Sequence, residues 1–162
     1  MILAARSAKQ PALRLSSFMP FRLNRLAAEV SNHLSGIYRE RFGLEIPEWR
    51  VLVTVAAELG CTAQRVVAST RMHKTRVSRA IAYLMEKGLI ERVANSEDRR
   101  EMQLQLTKAG RRIYSELVPL ALERERALMA CLSKTQMQGF VSALDRLEKV
   151  LGLGESTRAQ EE

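Results

Sequence analysis

Little in this sequence can hold a metal or cross-link a chain: it carries two cysteines and two histidines, and only 5% of its residues are aromatic. Cys61 and Cys131 stand far apart, in no CxxC pair and beside no histidine at ligand spacing, and His33 and His73 are equally isolated. No metal motif follows, and two reduced, partly buried thiols in a cytoplasmic protein are expected. Long apolar runs are missing as well. Arg, Glu or Lys interrupts every stretch before it reaches the roughly 18 to 20 residues that cross a bilayer, so a soluble chain without a membrane partner is expected. The opening residues are basic, but their apolar runs are too broken for a secretory core; residues 1–19 read as a mobile basic arm, with an organelle presequence as the alternative. Also absent are a phosphate-cradling Gly loop, a His-carboxylate metal pair and a Gly-x-Ser-x-Gly nucleophile turn. An enzyme is therefore not expected, nor a cofactor.

What is present is positive charge, and its position matters more than its size. Of the formal net charge of +8, the segment from Arg65 to Arg112 holds +7, with twelve Lys or Arg against five Asp or Glu. Such confinement is the electrostatic footprint of contact with a polyanion, because each neutralised phosphate releases counterions. A merely solvated basic face would make it a coincidence. At 162 residues and 46% hydrophobic, the chain has enough apolar material for one core with modest extensions.

Hydrophobic spacing predicts the element order. Leu26, Val30, Leu34 and Ile37 recur at helical spacing over residues 20–42, with Gly43 as the stop. Pro47 suits the opening turn of a second helix, whose dense apolar run (Trp49, Leu52, Val53, Val55, Ala56, Leu59) ends at Gly60. Thr62 can cap a short third helix over 63–69 with Val66 and Val67 inward, and a turn over 70–73 follows. On a fourth helix, 74–87, Val77, Ile81, Leu84 and Met85 form one stripe. Residues 89–93 and 102–106 then read as a hairpin, the second strand alternating Met102, Leu104 and Leu106 with polar neighbours. Thr107 caps a long fifth helix, expected to kink at Pro119. Ser133 caps a sixth with Phe140, Leu144, Leu147 and Leu151 at helical spacing. The tail 152–162 is polar and expected to be disordered.

Two short helices, a turn, a basic helix and a hairpin are the order of a winged helix-turn-helix, giving a mainly α fold with a small β-hairpin wing. The first, fifth and sixth helices carry apolar stripes that so small a core cannot absorb, so a second copy should cover them. The fourth helix has what reading duplex DNA requires. Arg76 and Arg79 can donate bidentately to guanine, Thr75 and Ser78 can serve base edges or phosphates, and Lys74 stands where a phosphate would lie. No Asp or Glu occurs between Arg65 and Glu86 to neutralise that face. In the hairpin turn, Arg99 and Arg100 can enter a minor groove while Asp98 orients one of them through a charge-assisted hydrogen bond.

The stretch KTRVSRAIAYLMEKGLIERVANSEDRREMQLQLTKAG over residues 74–110, with DRR at 98–100 and Leu106, Thr107 and Gly110 in an LT..G pattern, resembles the recognition helix and wing of the multiple-antibiotic-resistance regulator (MarR) family. The resemblance spans about residues 21–151. It implies one family-type domain over 20–151, with a DNA-binding lobe at 46–110 and dimerisation helices at 20–45 and 111–151. It also implies a homodimer whose wings embrace a pseudo-palindromic operator, with recognition helices ~34 Å apart. Such families bind small aromatic or anionic effectors, for which the candidates in this chain are Asn24, His33, Ile37, Trp49 and Arg50. Bland roles compete there: Ile37 and Trp49 in the core, His33 satisfied at an interface, Arg50 paired with Glu45 or Glu48. IPEWRVL and MHKTRVSRA are similar to the branch that controls hydroxycinnamate catabolism and responds to coenzyme A thioesters. The peroxide-sensing members carry a reactive Cys near the first helix, and this chain has none there. Two rivals stay open at this point, non-specific architectural DNA binding and a winged-helix protein-interaction module.

Overall fold

The computed structural model describes residues 12–94 and 102–153. Among them are six α-helices and one two-stranded sheet: α1 (Met19–Phe42), α2 (Ile46–Ala57), α3 (Ala63–Thr70), α4 (Lys74–Glu86), β1 (Ile90–Ala94), β2 (Met102–Leu106), α5 (Lys108–Met129) and α6 (Lys134–Val150). The chain falls into two compact units, one ending at His33 and one beginning at Leu34. The first holds a 3-10 turn at Leu15–Ser17 and the opening part of α1.

In the second unit, each helix of the small lobe starts and stops for a local reason. Gly43 adopts φ 63° after α1, and Glu48 accepts a hydrogen bond from the Glu45 N–H at 3.1 Å to open α2, whose second residue is Pro47. The Thr62 hydroxyl accepts from the Arg65 N–H (3.2 Å) at the head of α3. Arg71 closes that helix in the left-handed region at φ 55°, a conformation that costs a non-glycine residue roughly 1 kcal/mol and turns the chain sharply into α4.

The core draws on α2 (Val51, Leu52, Val55), α3 (Val66), α4 (Val77, Ala80, Ile81, Leu84), the hairpin (Ile90, Leu104, Leu106) and Leu117 of α5. The strands pair antiparallel with Ile90 opposite Leu106 and Arg92 opposite Leu104, which sets Leu104 and Leu106 on the buried face. Three expected core residues are corrected. Leu59 lies beyond the end of α2 and is fully exposed, because the helix stops at Ala57. On α4 the stripe closes on Ala80 rather than Met85, which is exposed at its far edge. Met102, the first residue of β2, is exposed. Helix α5 runs on through Pro119 as one element, capped by Thr107, whose hydroxyl accepts from the Gly110 N–H at 3.0 Å. Helix α6 buries none of its residues, and Leu122, Val141, Leu147 and Leu151 remain exposed along α5, α6 and the end of α6.

Candidate nucleic-acid interface

Burying Val77, Ala80, Ile81 and Leu84 rotates the other face of α4 outward, and with it Lys74, Thr75, Arg76, Ser78 and Arg79, all exposed. His73 caps this helix, its Nδ1 accepting from the Thr75 N–H at 3.3 Å, a role its isolation in the sequence did not suggest. Helix N-termini carry partial positive charge and are stabilised by acidic residues, yet the first turn of α4 has none and bears Lys74 and Arg76 instead. That arrangement works against the isolated helix by a few tenths of a kcal/mol per cation and favours an external anion. Among the described residues, the ion pairs are Arg39–Glu45, Arg65–Glu58 and Arg112–Glu116, and none involves Lys74, Arg76 or Arg79. The face is therefore both cationic and free to engage phosphate or base edges.

Two grooves flank α4. One, of about 430 Å³, runs beside the start of α2 and is lined by Glu45, Glu48, His73, Thr75, Arg76 and Arg79 among others. The second, about 340 Å³, lies against α3 and β1 and brings Lys74 and Ser78 together with Gln64 and Arg92. Neither Gln64 nor Arg92 stands out in the sequence. Arg92 shares the core-face parity of Ile90 on β1, and a guanidinium placed there is the one signal that could have been read. Anchoring α4 from behind, the Tyr83 hydroxyl donates to the Gly43 carbonyl at 3.0 Å. The wing turn 95–101, and with it Asp98, Arg99 and Arg100, lies outside the described residues.

The effector candidates are spread over different surroundings. Asn24 and His33 belong to the first unit and are exposed. In the second unit, Ile37 lines a groove of about 330 Å³ between α1 and α5 with Arg41, Leu120 and Arg124. Trp49 stacks on Tyr38 instead, with ring centroids 5.6 Å apart and planes 17° from parallel. Burial pushes the Tyr38 phenol up, and the charges of Arg50 and Arg39 act against that shift, so Arg50 stands near the stack. The Glu45 carboxylate suggested for Arg50 is held bidentately by Arg39, at 2.9 and 2.7 Å.

Residues 42–101, which contain α2, α3, α4 and β1, match the family model described as the MarR family. Among curated proteins, the chain is 30% identical over 88 residues to the HTH-type transcriptional regulator YdcH of Bacillus subtilis, a stretch covering 54% of this chain and 58% of that protein, less than two thirds of its length. A solved MarR/EmrR family transcriptional regulator from Acinetobacter sp. ADP1 superposes with a TM-score of 0.78 at 26% identity, covering 86% of this chain and 99% of that one. CouR from Rhodococcus jostii, solved with p-coumaroyl-CoA bound, shares the fold at a TM-score of 0.72 and 20% identity, covering 84% and 95%.

Proposed function

We propose that this chain, whose residues 42–101 match the MarR family model, is a homodimeric, sequence-specific DNA-binding regulator of transcription that is released from its operator by a small aromatic effector. The observation that carries this reading is the leading face of α4, where Lys74, Arg76 and Arg79 stand exposed with no ion-pair partner among the described residues. A helix fits the major groove, Arg76 and Arg79 can pair with guanine there, and Lys74 with Thr75 and Ser78 can hold the adjoining backbone. Asp98, Arg99 and Arg100 complete the reading, two guanidiniums for the minor groove and a carboxylate to orient one of them.

Pairing of two copies supplies the second reading helix. The apolar residues left exposed on α5 and α6 are what a partner would cover, each Å² withdrawn from water contributing about 25 cal/mol. Residues 46–110 then serve as the DNA-reading lobe, with 20–45 and 111–151 joining the subunits.

For the effector, the IPEWRVL and MHKTRVSRA motifs and the likeness to CouR guide the choice to a hydroxycinnamate-type acid or its coenzyme A thioester, and the regulated genes to a catabolic operon repressed until that compound accumulates. Ile37, Trp49 and Arg50, all in the second unit, are the residues we assign to it. Release requires the effector to bind the operator-incompatible dimer more tightly than the compatible one, since equal affinity shifts nothing. The test is thermal-shift screening with aromatic acids and their thioesters, followed by DNA release with any hit. A ligand at a hundred times its Kd stabilises the native state by about 2.7 kcal/mol. Stabilisation by a thioester that also frees the DNA supports the assignment; free acids that stabilise while every thioester fails would remove the thioester branch.

A further inference from the structure

The two flanks of α4 differ electrically, and the difference assigns a role to one of them. On the α2 side, Glu45 and Glu48 line the groove together with the arginines. On the α3 and β1 side, the groove holds Lys74 and Arg92 with the Gln64 amide and the Ser78 hydroxyl, over a floor that includes Val67 and Ile81, and among the described residues no acidic one lines it. The neighbouring Glu91 is occupied elsewhere, its carboxylate accepting from the Gln105 amide at 3.0 Å. Helix α3, helix α4 and strand β1 thus each contribute a hydrogen-bond donor to one groove of about 340 Å³.

We propose that this groove seats a phosphodiester of the DNA backbone, with Arg92 and Lys74 as its cations, Ser78 and Gln64 as its neutral donors, and the apolar floor receiving a sugar. The proposal rests on the DNA-binding reading above and extends the backbone contact of Lys74 and Ser78 to two residues off α4, Gln64 and Arg92. Arg92 is a positioning residue: it sits on the sheet, Gln64 on α3, and a strand held between them fixes how deeply and at what angle α4 enters the major groove. The contact carries no sequence information of its own. It differs in kind from the base-edge contacts assigned to Arg76 and Arg79, and that difference can be measured.

The experiment uses the full chain and two duplexes, one selected by the wild-type protein from a random-sequence library and one shuffled, with affinity followed by fluorescence anisotropy across salt concentrations. Arg92→Gln is expected to weaken both duplexes by the same factor and to make the slope of log K against log salt shallower by about 1.8, the loss of one phosphate contact in each subunit of the dimer. Arg92→Lys should keep the wild-type slope. In a scan of single methylphosphonate substitutions, one position in each half-site should weaken Arg92→Gln by a smaller factor than it weakens the wild type. Arg92 is exposed, and a circular dichroism melt matching the wild type verifies that the variant folds. Wild-type affinity and slope in Arg92→Gln would overturn the phosphate seat while leaving the DNA-binding reading intact. So would a loss confined to the selected duplex, or a loss of stabilisation by an aromatic carboxylate with the salt slope unchanged, which would make the groove a small-molecule seat. A wild-type protein that binds neither duplex overturns the seat and the reading beneath it together.

Discussion

Adding one methyl group at Gly110 should cost more than almost any other single methyl in the lobe. A Cβ on Gly110 would overlap the Leu89 carbonyl oxygen and stand 2.9 Å from its carbonyl carbon. That carbonyl cannot swing aside freely, because it accepts the Thr107 N–H at 3.1 Å and belongs to a buried residue at the foot of the hairpin. Thr107 is tied into the same knot, its hydroxyl donating to the Gly88 carbonyl at 2.6 Å and accepting from the Gly110 N–H. Three effects decide the outcome of Gly110→Ala. Alanine favours the helix by about 1 kcal/mol over glycine. Against that, forcing a side chain into a filled site costs roughly 1–3 kcal/mol, and displacing the Leu89 carbonyl loses one or two hydrogen bonds at about 1 kcal/mol each. The net is a destabilisation of about 1–4 kcal/mol, a large share of the 5–15 kcal/mol typical of a domain. Urea unfolding at fixed protein concentration reads it directly: with a slope of about 2 kcal/mol/M the midpoint should fall by about 0.5–2 M, the slope unchanged. A variant as stable as the wild type, or more stable, would refute the reasoning, because the helix preference would then have outweighed the clash.

Arg79→Ala should cost roughly 1–3 kcal/mol on the selected operator and relax its base preference, whereas equal losses on selected and shuffled duplexes would remove its base-reading role. Leu147→Glu places a charge on the exposed apolar face of α6 and should shift the dimer toward monomer in light scattering at micromolar concentration, with helicity retained. Burial, with Glu58 adding to it, pushes the Cys61 thiol up to about 11. Its neutral form is thus favoured by the fold, so the associated stability is complete below the ordinary value of 9.0 and fades as pH rises toward 11, measurable as a falling urea midpoint across that window. Iodoacetamide at neutral pH should accordingly modify exposed Cys131 and spare Cys61 until the protein unfolds.

Periodicity and caps were the parts of the fold most legible in the sequence. Thr62, Thr107 and Ser133 each accept a backbone hydrogen bond at a helix start, and the order of helices and hairpin is as the spacing predicts. Misreadings came where a short apolar run passes an element's end. Leu59 looks like core until the chain leaves the helix at Glu58, and Met85 and Met102 continue the apolar pattern yet are exposed. The LT..G pattern over Leu106, Thr107 and Gly110 was visible only as a motif; its physical content, a threonine joining the hairpin to α5 and a glycine making room for the Leu89 carbonyl, needed coordinates. Around α4, a run of polar residues between apolar ones announced the exposed face. Arg92 and Gln64 escaped because what distinguishes them is a groove formed by three elements, which no local window of sequence contains.

The central claim, that α4 reads base sequence in duplex DNA, is tested most directly by the wild-type affinity for selected and shuffled duplexes measured over a range of salt concentrations. The account predicts tighter binding to the selected duplex by a factor of at least about 10³, with affinity for both falling steeply as salt rises. Indistinguishable affinities at every salt concentration, or binding indifferent to salt, would contradict it.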